Sequence, residues 1–218
     1  KQMLERKKVL KHKVEHIKFK DLKNTNELIE AYSKSSFQAR KIGEGAKLYK
    51  KELNRGTTII WSLAGSIFSA GLRELVIDSV RKNLVDCLVC TGALFEQDML
   101  EALGYNHYVQ TEEIEDKTLQ NLLIDRIYDH LLDEIELQHV DETYKKIAKQ
   151  MDSGNYSSRE FMEYCGKWLS NVKDANDSVI LAAYEMNVPI FIPAINDCSI
   201  GIGLAMNQSE VKNGISID

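Results

Sequence analysis

The feature that most constrains the fold is a repeated order of strand, small-residue loop and helix between residues 57 and 103. An apolar, β-branched run at 57–63 precedes small residues at 64–71, after which apolar residues recur at helical spacing. A second unit follows, with an apolar run at 85–90, a short loop at 91–93 and a helix containing Met99 and Leu103. Such alternation predicts a parallel sheet with crossover helices.

Later segments extend this pattern. Short strands are predicted at 190–192, directly after Pro189, and at 214–218. Helices are predicted at 26–53, with breaks at 33–36 and at Gly43, and at 177–186. Residues 141–151 are predicted as a surface helix and residues 196–203 as a loop. Ser157 and Glu160 have the spacing of a capping box before one more helix.

These elements predict an α/β fold with a Rossmann-like, doubly wound, mostly parallel sheet that has helices on both faces. A helical N-terminal arm, residues 1–55, precedes this domain, which we place at residues 56–218. The domain is expected to be incomplete at its C-terminus, because an α/β sheet seldom ends on the last residue of a strand. The chain also begins with Lys1 instead of Met, which predicts a processed or partial chain.

Composition narrows the function classes. The net charge of −5 argues against nucleic acid as the main partner, and no apolar run has the length of a membrane span. Lys and Arg crowd residues 1–23, as expected for a solvated arm or an anion-binding patch. Cys87 and Cys90 point to opposite faces of one predicted strand and cannot chelate one metal ion. Such thiols indicate a reducing compartment, so we expect a cytoplasmic protein without a metal site.

The carboxyl ends of three predicted strands lead into loops that are polar or rich in small residues, at 64–69, 91–98 and 196–203. In open α/β sheets these ends form the ligand crevice, and N–H groups at the following helix starts bind phosphate. Small residues there favour either a nucleotide-like ligand or tight packing of strand against helix. Neither the GxGxxG fingerprint nor a P-loop motif is present, so P-loop nucleotide hydrolysis is not expected.

Individual polar residues near these loops have competing explanations. Asp197 follows a buried strand, where it would hold ribose hydroxyls or cap the next helix. Glu96 and Asp98 are predicted in the first turn of a helix, where the helix dipole accounts for acidic residues. His107 is expected to be structural. No Ser-His-Asp order, metal cluster or paired-carboxylate motif stands out.

Several long stretches are similar to one family. They are SSFQA at 35–39, SLAGSIFSAGLR at 62–73, VDCLVCTGA at 85–93, EALGYNHY at 101–108, DRIYD at 125–129 and PIFIPAINDCSIGIG at 189–203. In this order, from about residue 28 to the end, the sequence resembles the deoxyhypusine synthases, most closely their archaeal branch.

The resemblance implies a reaction and a set of binding residues. The family uses NAD to oxidise spermidine and passes the aminobutyl group, through an enzyme lysine, to a lysine of a translation factor precursor. The residues implied to contact NAD are Gly65, Ser66, Ser69, Thr91, Gly92, Ala93 and Asp197. Glu96 and Gln97 are implied near the amine, although Gln97 replaces an acid or a histidine of other members. Ile202 lies where eukaryotic members have an acid that binds spermidine.

The family's catalytic motif, Glu-Ala-Val-Ser-Trp-Gly-Lys, does not occur in these 218 residues. The resemblance therefore implies that the nucleophilic lysine lies in a missing C-terminal segment or in a second subunit, within a homo- or heterotetramer. This chain alone is expected to be inactive. Two alternatives stay open: a non-catalytic paralogue that activates a competent synthase, and an enzyme such as a homospermidine synthase that acts on small amines.

Overall fold

The computed structural model of this chain describes residues 2–211 and 214–217. The chain divides into two compact units, residues 1–58 and 59–218. Among the described residues, no helix combines the length and the apolar character that crossing a bilayer requires.

The first unit is helical. It contains α1 (Gln2–Val9), a 3-10 turn (Phe19–Asp21), α2 (Thr25–Lys34) and α3 (Phe37–Arg55). The predicted break at 33–36 is confirmed, since α2 ends at Lys34 and α3 begins at Phe37. The break predicted at Gly43 is wrong, because Gly43 lies inside α3. A Cβ atom there would lie only 2.6 Å from Ser33 Cα, so this glycine lets α2 and α3 approach each other closely.

The second unit contains the remaining elements. In chain order they are β1 (Ile60–Leu63), a π-helical turn (Phe68–Leu72), α4 (Arg73–Arg81), β2 (Cys87–Cys90), α5 (Gly92–Ala102), β3 (Tyr108–Val109), α6 (Asp116–Leu122), β4 (Ile124–Ile127), β5 (His130–Asp133), α7 (Glu134–Lys149), β6 (Gly154–Tyr156), α8 (Ser158–Leu169), α9 (Val179–Met186), β7 (Ile190–Phe191), α10 (Ser199–Glu210) and β8 (Ile215–Ile217).

The central sheet is parallel, with the strand order β1-β2-β7. Leu63 pairs with Cys90, and Val89 pairs with Phe191, so the carboxyl ends of the three strands lie along one edge. The predicted α/β fold with a parallel sheet and N-terminal helices is confirmed. Strands β3, β5 and β4 form an antiparallel sheet, while β8 pairs with β6 in a separate two-stranded sheet. The predicted last strand also included Asp218, which lies outside the described residues.

Two helices differ from the sequence-based prediction. Helix α7 begins at Glu134 instead of 141 and is not a surface helix, because Val140, Tyr144 and Ile147 on one face are buried in the core. Helix α10 begins at Ser199, so only the first part of the predicted loop at 196–203 is a loop. The capping box before α8 is confirmed: the Ser157 hydroxyl accepts a hydrogen bond from Glu160 N, and the Glu160 carboxylate accepts one from Ser157 N.

Candidate functional site

Three loops meet at the carboxyl edge of the parallel sheet. The first follows β1 and runs into the π-helical turn, the second joins β2 directly to α5, and the third connects β7 to α10. The residues implied to contact NAD all lie on these loops or at the helix start that follows them. They are Gly65, Ser66, Ser69, Thr91, Gly92, Ala93 and Asp197. The edge therefore has the position at which parallel α/β sheets bind ligands.

Helix α5 holds the two outer loops through adjacent side chains. The Gln97 side-chain oxygen accepts a hydrogen bond from Ser69 N at 3.1 Å. The Glu96 carboxylate accepts one from Ser199 N at 2.8 Å, and so caps the start of α10. Gln97 is buried and Glu96 is partly buried. The two residues implied near the amine thus also position the loops on either side of β2.

Glycine stands at positions 65 and 92 for different structural reasons. Gly65 has a φ of +79°, which only glycine adopts without strain, and open space surrounds the position where a side chain would be. Gly92 is buried, and a Cβ atom there would overlap the Cys198 sulfur. Gly65 therefore leaves the backbone of the first loop accessible to a ligand, whereas Gly92 lets the second and third loops pack together.

Asp197 does not cap α10. The residue that precedes this helix is Cys198, whose side chain makes no capping hydrogen bond, and Glu96 performs that role instead. Asp197 is exposed, and its carboxylate makes no hydrogen bond or ion pair within the described part of the chain. Of the two explanations offered by the sequence, helix capping is excluded, and the carboxylate faces solvent at the mouth of the third loop.

Asp98 has a structural role that its sequence position did not reveal. It is fully buried, and it accepts hydrogen bonds from Arg73 Nε at 2.7 Å, Val179 N at 3.0 Å and Ile180 N at 2.9 Å. The first turn of α5 contains no acidic residue, so the prediction that Asp98 and Glu96 stabilise that turn is wrong. Burial raises the pKa of Asp98, while Arg73 and the two N–H donors favour its charged form. Asp98 caps α9.

His107 belongs to the same structural network. Its Nδ1 lies 2.9 Å from a Glu101 oxygen, and the other Glu101 oxygen lies 3.4 Å from Arg73. Only 6% of the His107 side chain is exposed. This arrangement agrees with the structural role expected for His107.

The structure also brings together carboxyl groups that are far apart in the sequence. They form a cluster of Glu96 on α5, Asp125 on β4, and Glu134 and Asp141 on α7. Glu134 forms a hydrogen bond with Asp125 that raises the pKa of Asp125 to about 6, with help from partial burial and the Glu96 charge. Burial raises the pKa of Glu96 and of Asp141, and each is raised further by another acid of the cluster. The sequence signal that could have placed α7, and Asp141 with it, against the core is the helical spacing of the apolar residues Val140, Tyr144 and Ile147.

The cavities of the second unit include one of about 100 Å³ at the amino end of β7. It is lined by residues of α8 and α9, among them Met162 and Tyr184, and by Asn187, Val188 and Pro189. Because these last residues precede β7, the cavity lies away from the three loops. The candidate site is therefore an open edge of the sheet, distinct from this cavity.

Comparisons with known proteins agree with this architecture. The family model for deoxyhypusine synthase matches residues 27–218. A deoxyhypusine synthase-like protein of Elusimicrobium minutum is 40% identical over 203 residues, which are 92% of this chain and 54% of that protein. A Methanosarcina acetivorans protein named "probable deoxyhypusine synthase 2" is 39% identical over 201 residues, 91% of this chain and 57% of its own length. Relatives from bacteria and from archaea match at similar identity, so the closer resemblance to the archaeal branch is not confirmed. The chain spans just over half of the length of these relatives.

The fold is also found in a solved structure. A crystal structure of an Entamoeba histolytica protein assigned to deoxyhypusine synthase superposes with a TM-score of 0.62 and 19% sequence identity. The superposition covers 94% of this chain and 73% of that one. At this identity the likeness establishes the fold, while the family model and the curated relatives establish descent. The chain belongs to the deoxyhypusine synthase family.

Proposed function

We propose that these residues form the cofactor-binding part of an NAD-dependent aminobutyl transferase. The enzyme would move the aminobutyl group of spermidine to a lysine of a translation factor precursor. The observation that carries this proposal is the meeting of three loops at the carboxyl edge of the parallel sheet, each with an accessible residue. Those residues are Gly65, Thr91 and Asp197, all exposed. The matched family uses this chemistry, which is the second support.

The residues at this edge fit a dinucleotide. The open space at Gly65 lets a ligand approach the backbone of the first loop. The Asp197 carboxylate is free to accept hydrogen bonds from ribose hydroxyls. Gly92 contributes indirectly, since its missing side chain sets the distance between the second and third loops. NAD supplies the hydride acceptor when bound, and this chain's own residues bind and orient the reactants.

The amine nucleophile of the reaction is proposed to come from outside these residues. Covalent catalysis by lysine needs an amine that is partly neutral. Lys145, whose side chain is only 12% exposed, has the opposite property: hydrogen bonding to Glu210 raises its pKa and keeps it charged. We therefore propose that a segment carrying the family's lysine motif, on a longer form of this chain or on another subunit of a tetramer, completes the site.

Binding of NAD by the purified chain tests the cofactor assignment. Asp197→Ala should weaken NAD binding by about 1–3 kcal/mol, measured by calorimetric titration, because a charged hydrogen-bond acceptor is lost. Asp174→Ala, at another exposed acid, is the matched control and should leave NAD affinity unchanged. Equal NAD affinity in the wild-type protein and the Asp197 variant would remove Asp197 from the site. Failure of the wild-type chain to bind NAD would count against the proposed function itself.

A further inference from the structure

The cavity at the amino end of β7 combines an apolar floor with a charged rim. Its floor includes Met162, Ile180 and Val188, all of which are buried. Arg159 and Glu163 stand on the rim, and both are exposed. They are four residues apart on α8, which places their Cβ atoms about 5–6 Å from each other. Two opposite charges therefore flank one apolar space of about 100 Å³.

The protein itself leaves these two rim charges unpaired. Neither the Arg159 guanidinium nor the Glu163 carboxylate forms a hydrogen bond or an ion pair with any residue that the structure describes. They do not pair with each other, and an order in which the cation comes first is the less favourable one on a helix. Lys167 follows Glu163 in the more favourable order, yet it does not pair with Glu163 either. Both rim charges are thus free to meet a ligand.

A groove lined by tyrosines adjoins the cavity at its Glu163 side. This groove, of about 400 Å³, shares Glu163 and Tyr184 with the cavity. Tyr184 packs on α8 at Gly166, where a Cβ atom would lie only 2.3 Å from Tyr184 Cβ, so only glycine permits this contact. The rings of Tyr156 and Tyr164 line the same groove and pack edge to face, with centroids 6.0 Å apart. Because the faces of aromatic rings attract cations, this side favours the positive end of a ligand.

Two further charged residues line the groove without reversing this preference. Glu160 accepts hydrogen bonds from the N–H and the hydroxyl of Ser157, and so belongs to the capping box of α8. Lys167 adds one positive charge against the two carboxylates of Glu160 and Glu163. The groove therefore keeps an excess of negative charge, whereas Arg159 supplies the positive charge of the cavity.

We propose that this cavity binds a short ω-amino acid, a molecule with a carboxylate at one end of a hydrocarbon chain and an ammonium group at the other. The carboxylate pairs with Arg159, since guanidinium and carboxylate form two parallel hydrogen bonds. The ammonium group lies against Glu163 and the Tyr184 ring, and the hydrocarbon chain covers the apolar floor. The site does not depend on the proposed function, because the cavity lies away from the three loops at the carboxyl edge of the sheet.

The competing explanation is that the rim is an ordinary solvated helix surface. Arg159 and Glu163 would then contact water and, transiently, each other, and no small molecule would need both charges. Compounds with the same carbon chain separate the two explanations. Butylammonium lacks the carboxylate of 4-aminobutyrate, butyrate lacks its ammonium group, and putrescine carries a second ammonium group in place of the carboxylate.

The test is an NMR titration of the whole chain with isotope-labelled methionine methyl groups and tyrosine rings. We expect 4-aminobutyrate to shift the Met162 and Tyr184 resonances saturably. It should bind about threefold or more tightly than each of the other compounds, because each of them loses a charge contact. In Arg159→Gln its affinity should fall to that of butylammonium, and in Glu163→Gln to that of butyrate. Glu113→Gln, at an exposed acid outside the cavity, is the matched control and should change no affinity.

Several results would overturn the inference. Equal affinities for the four compounds, or an unchanged affinity for 4-aminobutyrate in Arg159→Gln, would remove the selection for both charges. Tighter binding of butyrate would make the cavity an anion site, and tighter binding of putrescine would make it a site for diamines. The absence of saturable shifts at Met162 and Tyr184 would leave the rim as a solvated surface. The cofactor assignment is unaffected by these outcomes, since it is tested separately at Asp197.

Discussion

At the scale of single residues, Asp98 is a fully buried acid that joins α5 to Arg73 and to the start of α9. Arg73 and two backbone N–H groups of α9 satisfy it, and neither Asp98 nor Arg73 is exposed. Asp98→Asn should lower the free energy of unfolding by about 3–5 kcal/mol, because it leaves the Arg73 charge buried with weaker partners. Urea denaturation measures this change. The exposed pair Asp78–Lys82 is the control, since Asp78→Asn should cost less than about 1 kcal/mol. An equal loss of unfolding free energy in Asp98→Asn and Asp78→Asn would contradict the structural role of Asp98.

Asp125 makes stability depend on pH. Its pKa in the folded protein is about 6, above the usual 3.8, because of Glu134 and partial burial. The folded state therefore binds more protons than the unfolded state between these values, and stability falls as pH rises through them. Asp125→Asn should flatten that decline, measured as melting temperature against pH at constant ionic strength. Parallel profiles for the wild-type protein and the variant would show that Asp125 does not titrate in this way.

Residue positions were predictable from the sequence where the signal is local. Gly65, Thr91 and Asp197 follow strands that the sequence shows, and the structure places all three at one edge of the sheet. The partners of Glu96 and Asp98 were not predictable, because each caps a helix that lies 80 or more residues away in sequence. A periodic pattern indicates which face of an element is buried, but it does not identify the distant N–H group that a buried acid meets.

At the scale of elements, two glycines of α3 offer a matched pair. A Cβ atom at Gly43 would collide with the α2 backbone at Ser33, whereas nothing lies within 4 Å of one at Gly45. Gly45→Ala should stabilise the helix by up to about 1 kcal/mol through the higher helix propensity of alanine. Gly43→Ala should destabilise the α2–α3 pair despite the same gain. Amide hydrogen exchange of α2 and α3 measures the change in stability caused by each substitution. If both substitutions stabilise the helices, or both destabilise them, the close approach of α2 and α3 at Gly43 is refuted.

The elements themselves were predicted unevenly. The α2–α3 break and the capping box of α8 depend on adjacent residues, and both were found. Helix α7 was predicted too short, because its charged start at Glu134 hides the apolar spacing of Val140, Tyr144 and Ile147. The antiparallel sheet formed by β3, β5 and β4 was not recognised, since its strands are only two to four residues long. Short strands leave too few alternating positions to show a period.

At the scale of the whole molecule, we expect no transferase activity from this chain alone. The assay supplies NAD, labelled spermidine and the translation factor precursor, with and without a polypeptide that carries the family's lysine motif. Label should reach the precursor only when that polypeptide is present, because the positioned amine is indispensable for a covalent transfer.

Two controls complete the assay. The same polypeptide with its motif lysine changed to alanine should give no transfer. Putrescine, offered as the acceptor in place of the precursor, distinguishes a homospermidine synthase-like enzyme from a protein-modifying one. Transfer by this chain alone, with contaminating enzyme excluded, would contradict the expectation. If this chain instead increases the activity of a synthase that is already active without it, the result would favour the activating paralogue.

The adjacent side chains Gln97 and Glu96 reach contacts that are made at very different times during synthesis. Gln97 meets Ser69, which is 28 residues earlier, whereas Glu96 meets Ser199, which is 103 residues later. At about 5–20 residues per second, a ribosome delivers the third loop many seconds after the first two. A nascent chain stalled before residue 199 should therefore already hold two loops in their native places. The arrival of α10 would then be the step that converts a half-formed crevice into one able to retain a nucleotide.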